Sequence, residues 1–341
     1  MWIYRSDAGD AAVRQWCERR LRSWAVPHHQ RSVHDDPPYD YRRGHLVVAG
    51  PADAPTVVVL GGRHGCAASL TDLLERLATE YRVIAVDPPG EAGLGSGGRP
   101  NTDRLRDYGS WFDDLLTELA PDAPGGITVL AHGFGAAVAL AARPTPRVRG
   151  MILLNPHGLA RPALRARLLT ATLGWRAVPV RRTARRLLSR LGGPAFVPPE
   201  ALVDWLATVG RHVALSSTPP PHPELARRWH GTPVTVGIGE HDPFFGDGRL
   251  AQPARWALGA TVVVVPGAGA LLPYEQPDAV HVMVSRRLGD GASTGRSPRS
   301  GPAGDRQPSG DGATAPGVVA AGATHTIDRP HHSPARSAVG V

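Results

Sequence analysis

Lysine is absent from this chain: every one of its 38 basic residues is an arginine, set against 30 acidic residues for a formal net charge of +8. Ala, Gly, Pro and Arg dominate, as GC-rich coding would produce. Part of the basic excess is then mutational bias and names no anionic partner by itself. Aromatic residues are scarce at 6%, and no basic patch is interleaved with them as in a nucleic-acid module. Nucleic acid is therefore not an expected partner. Only two cysteines occur, Cys17 and Cys66, far apart in sequence, which excludes a disulfide scaffold. No apolar run approaches the roughly 20 residues of a membrane helix, so no membrane partner is expected. The opening MWIYRSDAGD has early acidic residues and no apolar h-region, so no signal peptide is expected. These absences together lead to the expectation of a soluble, reduced, cytoplasmic protein.

What is present is a patterned core. The 341 residues are 42% hydrophobic, enough for one large domain, or one domain with an insertion. Short β-branched runs recur at Val57–Leu60, Val83–Val86, Ile127–Ala131, Met151–Leu154, Val234–Ile238 and Val262–Val265. Uncharged runs of this length read as parallel strands buried on both faces. Between them lie helical stripes: Leu70, Leu73, Leu74 and Leu77, then Leu105, Tyr108, Phe112, Leu115 and Leu119. Phe134–Ala142 is a small-residue helix suited to close packing. The alternation predicts a doubly wound sheet. His45–Ala49 and Ser32–Asp35 are expected to add antiparallel strands, preceded by an amphipathic helix over Glu18–Trp24.

The alternation breaks between Gly158 and Gly231. Arginine-rich helical segments fall there, after one core strand and before the next. An inserted helical cap over the sheet's C-terminal edge is expected, where open α/β sheets bind ligands. Its arginines read first as a solvated helix face. The predicted segments are 1–44 (N-terminal helix and first strand), 45–157 (first part of the core), 158–231 (cap), 232–288 (second part of the core) and 289–341. Over the last of these, Gly, Ser, Pro, Ala and Thr dominate and apolar periodicity stops, which predicts a disordered tail.

The chemistry-bearing stretch is Thr128–Leu140, TVLAHGFGAAVAL. A strand runs through a sharp turn into a helix, the geometry of a nucleophile elbow. Five motifs in order resemble the α/β-hydrolase superfamily, in particular its cap-bearing, esterase-like branch, over about residues 14–288. Gly61-Gly62-Arg63 looks like the oxyanion loop. Val86-Asp87-Pro88-Pro89-Gly90 looks like the Asp-x-Pro-Gly loop. Ala131-His132-Gly133-Phe134-Gly135 looks like the Gly-His-Ser-x-Gly elbow. Gly239-Glu240-His241-Asp242-Pro243 looks like the turn carrying the triad acid, and Pro266-Gly267-Ala268-Gly269-Ala270 like the loop carrying the triad histidine. The resemblance implies an α/β-hydrolase fold, a mostly parallel sheet with an inserted helical cap. It also implies that the triad positions are Gly133, Asp242 and Ala270.

Only the acid of that triad remains. Glycine offers no side-chain oxygen for an acyl-enzyme, and Asp242 has no imidazole to orient. The resemblance makes the backbone N–H groups of Arg63 and Phe134 the oxyanion donors, and these survive side-chain loss. Further pocket candidates are Gly62, His64, Cys66, Glu91 and His157. Of these, His64 or His157 could serve as a relocated base, and Cys66 as a nucleophile only with a base in reach.

Two patterns are set aside. Gly93-Leu94-Gly95-Ser96-Gly97-Gly98 fits G-x-G-x-x-G but opens no helix, as a dinucleotide site requires. His28, His29, His34, Asp35 and Asp36 lack any metal-ligand spacing. No cofactor and no metal are expected. The expected function is a pseudoenzyme that keeps its capped pocket for a small apolar or ester-like organic molecule or for a partner. A non-hydrolytic lyase or cyclase, and a hydrolase with relocated residues, are the alternatives.

Overall fold

Ser6 starts the first helix. Its hydroxyl accepts from the Gly9 N–H at 3.1 Å, and Asp7 and Asp10 occupy the first turn while Arg19, Arg20 and Arg22 occupy the last, each sign at the end the helix dipole favours. Helix α1 (Asp7–Arg22) therefore begins well before the expected Glu18. Capping and dipole complementarity, not apolar periodicity, fix its start. The computed structural model describes residues 1–34, 42–99, 103–163, 165–214, 222–246 and 248–294, with side chains through 289. Asp35 and Asp36 lie outside these residues, as does the expected tail from residue 295 on.

The remaining elements follow in chain order. They are β1 (His28–Val33), β2 (Gly44–Ala49), β3 (Thr56–Leu60), α2 (Thr71–Ala78), β4 (Arg82–Asp87), α3 (Arg104–Leu119), β5 (Ile127–His132), α4 (Phe134–Ala141), β6 (Val148–Leu154), α5 (Ala166–Ala177), α6 (Arg181–Leu191), α7 (Glu200–His212), α8 (Pro223–Arg227), β7 (Val234–Gly239), α9 (Ala251–Leu258), β8 (Val262–Val265), α10 (Leu272–Glu275) and α11 (Pro277–Thr294). Helix α11 thus carries regular structure past residue 289, where the tail was expected to begin.

The eight strands form one sheet in the order β1-β2-β4-β3-β5-β6-β7-β8. β1 pairs β2 and β2 pairs β4 antiparallel, and every later pairing is parallel. Central strands β3 and β5 are buried along their whole length, because helices cover both faces. Alternate side chains of β3 serve the two cores. Val57 and Val59 pack with α1, α2 and α11, while Val58 and Leu60 pack with α3, α4 and α9. Fully buried residues such as Phe112 and Leu115 each contribute about 1.5–3 kcal/mol relative to exposure. This is the α/β-hydrolase architecture.

Four helices, α5 to α8, occupy the interval between β6 and β7. Among their ties to the core, beside the Ala270 N–H donating to the Leu191 carbonyl at 2.7 Å and the Trp229 indole donating to the Leu140 and Ala142 carbonyls, two points stand out. Trp205 on α7 stacks on Trp16 of α1 with ring centroids 4.6 Å apart, and its indole N–H donates to the His64 carbonyl. At the second point, the Glu275 carboxylate accepts from three backbone N–H groups: Gly193 at 2.7 Å, Gly269 at 2.9 Å and Leu271 at 2.8 Å. Gly193 follows α6 and Gly269 lies on the loop after β8, so one side chain staples the helical insertion to that loop. A Cβ on Gly193 would strike the Gly267 carbonyl oxygen, so only glycine permits this approach.

Candidate functional site

Gly133 sits between β5 and α4 at φ +51° and ψ −113°, a conformation costly for any residue with a Cβ. Its N–H donates to the Leu154 carbonyl at 2.9 Å, and its carbonyl accepts from the His157 N–H at 3.1 Å. The turn is thereby pinned to the end of β6. A Cβ built on Gly133 would meet only the Gly62 Cα, at 3.6 Å. The space above the turn is open to a side chain that the sequence does not supply.

That space belongs to a cavity of about 410 Å³ at the C-terminal ends of the strands. The core contributes Gly62, Arg63, His64, His132, Gly133, Phe134, Asn155, His157 and Ala270 to its wall. The insertion adds apolar groups, among them Leu168, Trp175 and Leu187. A larger cleft of about 820 Å³ lies around Thr56, Thr128 and Arg149. It sits at the N-terminal ends of the strands, the edge opposite to where open α/β sheets bind ligands, and it holds none of the expected site residues.

Gly133 and Ala270 therefore line one cavity. Asp242 stands behind its wall, almost wholly buried. Its Oδ1 accepts from the N–H groups of Phe244 at 2.6 Å and Phe245 at 3.1 Å, and its Oδ2 accepts from the Asn155 amide at 2.7 Å. Burial pushes its pKa up, and the hydrogen bonds from Asn155, Phe244 and Phe245 oppose the shift. Asn155 also donates to the Gly269 carbonyl at 3.2 Å. It thus links the acid to the loop that carries Ala270, at a left-handed φ of +44°. It was not singled out from sequence; a polar residue directly after core strand Met151–Leu154 was the available signal.

Three imidazoles reach the cavity, and burial holds all three neutral. His132 is pushed down to about 4 by burial, against the raising effect of its bond to Ala270. His157 is pushed down to about 4 by burial and the nearby His132 and Arg63. His64 is pushed down to about 3 by burial and by Arg63, Arg176 and Arg99. His132 Nε2 lies 2.8 Å from the Ala270 carbonyl oxygen. A carbonyl only accepts, so Nε2 carries the proton. Nδ1, the acceptor, is buried against Gly62 with no partner among the described residues. The His157 ring is held edgewise by Phe244 and Phe245, at centroid distances of 6.0 and 5.4 Å.

Arg63 stacks its guanidinium over the Phe134 ring at 5.2 Å, and burial lowers its pKa. The Phe134 N–H is the first donor of α4 and has no carbonyl one turn earlier to bond. Two of the pocket candidates fall outside the cavity lining. Cys66 Sγ lies 3.8 Å from Cys17 Sγ, both buried. Glu91 is buried against Tyr108 and Arg99, each 3.3 Å from Oε1. The G-x-G-x-x-G loop wraps the Asp87 carboxylate, which accepts from Leu94 N–H at 2.9 Å and Ala67 N–H at 2.7 Å. Among the described residues no group of three His, Cys, Asp or Glu is placed to hold a metal ion.

A family model described as the alpha/beta hydrolase family matches residues 57–281. No curated protein matches the sequence. Among solved structures, the chain is similar to naproxen esterase (carboxylesterase NP) from Bacillus subtilis. That match has 19% identity and a TM-score of 0.68, covering 83% of this chain and 99% of the other. It is also similar to carboxylesterase CesB from Bacillus subtilis, with 19% identity and a TM-score of 0.64, covering 82% and 98%. At such identities the likeness is one of fold.

Proposed function

The chain belongs to the alpha/beta hydrolase family, and from that premise we propose that it is a non-hydrolytic member, holding a small apolar or ester-like organic molecule in its capped cavity. One observation carries the reading. Gly133 and Ala270 line the cavity where that family's nucleophile and histidine would act, and the hydroxyl among the described lining residues, Thr172, donates to the Leu168 carbonyl at 2.9 Å. An acyl-enzyme needs a nucleophile activated by a base within hydrogen-bond reach. Asp242, buried and fastened by Asn155, would here be a structural acid that ties the turn after β7 to the loop before α10.

A second reading has its own support. His157 faces the cavity as a neutral imidazole beside the α4 N-terminus. A ligand carbonyl bound by the Phe134 and Arg63 N–H groups would be polarised, and His157 could take a proton from the carbon or oxygen next to it. That is lyase or cyclase chemistry without a covalent intermediate.

The test is direct. The wild-type chain is treated with a fluorophosphonate probe and with p-nitrophenyl butyrate, and its thermal unfolding is followed with 1-naphthyl acetate present. No label, no nitrophenol release above buffer and a rise in Tm with intact naphthyl ester recovered are expected. Stoichiometric labelling or sustained ester turnover overturns the proposal.

A further inference from the structure

Between Leu159 and Pro199 the sequence contains nine arginines and not one aspartate or glutamate. The same stretch exposes apolar side chains in a row. Leu169 and Leu173 on α5 are 52% and 60% exposed, and Val178 and Val180 in the turn to α6 are 55% and 40% exposed. Helix α5 buries Leu168, Ala171 and Trp175 inward. On the opposite side of the helix, Ala166, Leu169, Leu173 and Ala177 form a second apolar face with nothing packed on it among the described residues. A helix that is apolar on two opposed faces is ordinarily covered on both.

Helix α6 packs beside α5 and supplies the charge. Its inward side chains are Ala184, Leu187 and Leu188. Arg181 and Arg185 turn to Glu200 and Asp204 on α7. Arg182, Arg186 and Arg190, spaced four residues apart, line the opposite side with no ion pair recorded among the described residues. Solvent alone would explain the arginines, but not the leucines and valines beside them. Nucleic acid would explain the arginines and leave the aliphatic row in water, since the row offers no ring to stack on bases.

We propose that the outer surface of α5, the α5–α6 turn and α6 docks on an anionic phospholipid surface, the apolar row entering the headgroup boundary and the arginines meeting lipid phosphates. The combination of an aliphatic face with a flanking basic face is that of an interfacial helix, and each arginine near an anionic surface adds about fivefold to partitioning at low salt. No helix of the chain is long and apolar enough to cross a membrane among the described residues, so the contact is peripheral. Leu169 belongs both to the exposed row and to the wall of the 410 Å³ cavity. Docking would therefore bring the cavity mouth against the bilayer, where apolar ligands concentrate. The docking stands independently of the non-hydrolytic reading, since its readout does not involve the cavity.

The experiment is flotation of the full chain with vesicles of phosphatidylcholine alone or with 40% phosphatidylglycerol (about two lipids in five, a dense anionic surface). Floated protein is expected only with the anionic vesicles, falling at least tenfold when NaCl rises from about 0.1 to 0.5 M. Arg182→Gln/Arg186→Gln/Arg190→Gln should lower the partition coefficient by about 100-fold. Leu173→Asn/Val178→Asn, which keeps every charge, should lower it at least tenfold with an unchanged melting curve. Absence of wild-type flotation overturns the proposal. So does flotation that the Leu173/Val178 variant retains in full, or binding to duplex DNA that exceeds vesicle binding and ignores that variant; both would mean charge alone.

Discussion

The imidazole of His132 donates from Nε2 to the main-chain carbonyl of Ala270, 2.8 Å away. The side chain just before the elbow turn thus reaches the backbone of the position where the family resemblance expects the catalytic histidine. That bond joins the two loops directly, while Asn155 and Glu275 fasten the Ala270 loop to the Asp242 turn and to the insertion, with no triad needed to register them. The groups that position this site, His132, Asn155 and Glu275, are thus separate from the side-chain positions 133 and 270.

Restoring the missing pair tests this. Gly133→Ser with Ala270→His is expected to install p-nitrophenyl ester hydrolysis, while Gly133→Ser alone stays at background because its hydroxyl lacks a base. The serine side chain has room, though the backbone at φ +51° should cost about 1–3 kcal/mol in stability. Initial rates and urea denaturation of the three proteins read both effects. Equal activity in the single and double variants would mean that Ala270 is not the histidine's position.

Stability should fall as pH drops below about 6.5, the ordinary histidine value. His132 and His157 titrate at about 4 in the folded chain and His64 at about 3. Between those values and 6.5 the unfolded chain binds more protons, so unfolding is favoured progressively through that window. Burial raises the buried acids Asp87 and Asp242, which works in the opposite sense at the lower end. The variant His157→Gln isolates the histidine contribution. Its guanidinium midpoint should change less between pH 7 and pH 5 than that of the wild type, and an equal change would contradict the assignment.

Asn155→Asp should place a second carboxylate against the buried Asp242. Two such groups cannot both ionise at contact distance without cost. A loss of about 2–3 kcal/mol at pH 7 is expected, shrinking toward pH 4.5 as the pair takes up a proton. Denaturation at the two pH values checks it; a loss independent of pH would mean that the cost lies in the lost amide donor to the Gly269 carbonyl instead.

Glu275→Gln should loosen the attachment of the helical insertion. One carboxylate serves three N–H donors there, and an amide keeps a single acceptor oxygen. The expected cost is about 2 kcal/mol, together with faster amide hydrogen exchange at Gly193, Gly269 and Leu271. Unchanged exchange at those three amides would show that packing and the Ala270 N–H to Leu191 carbonyl bond hold the junction without the carboxylate.

The six parallel strands were legible because each holds a short apolar run with no charge, as strands buried on both faces do; β8 keeps the pattern at the sheet's edge, where Val263 and Val264 are exposed and the expected burial on both faces does not hold. The insertion was legible as the place where that rhythm fails. The start of α1 was not, since Ser6 and the flanking charges act through main-chain donors that carry no apolar period. Asn155 and Glu275 were equally silent. Asn155 meets the Asp242 carboxylate across 87 residues and Glu275 the Gly193 N–H across 82, and nothing local in the sequence marks such a meeting. Gly133 stood out because the small-residue frame around it was complete, so that one missing hydroxyl could be seen against it.

The Trp16–Trp205 stack makes the insertion less modular than its place between two strands suggests. Residues 158–231 leave the C-terminal end of β6 and rejoin the sheet at the N-terminal end of its parallel neighbour β7, one continuous stretch that invites transplantation into a related scaffold. Such a chimera would leave the Trp205 indole stranded against solvent unless α1 travelled with it, and the indole N–H would need a carbonyl in the recipient where His64 supplies one here. The unit of inheritance is therefore the insertion plus the first twenty-odd residues of the chain, two segments distant in sequence that must change hands together.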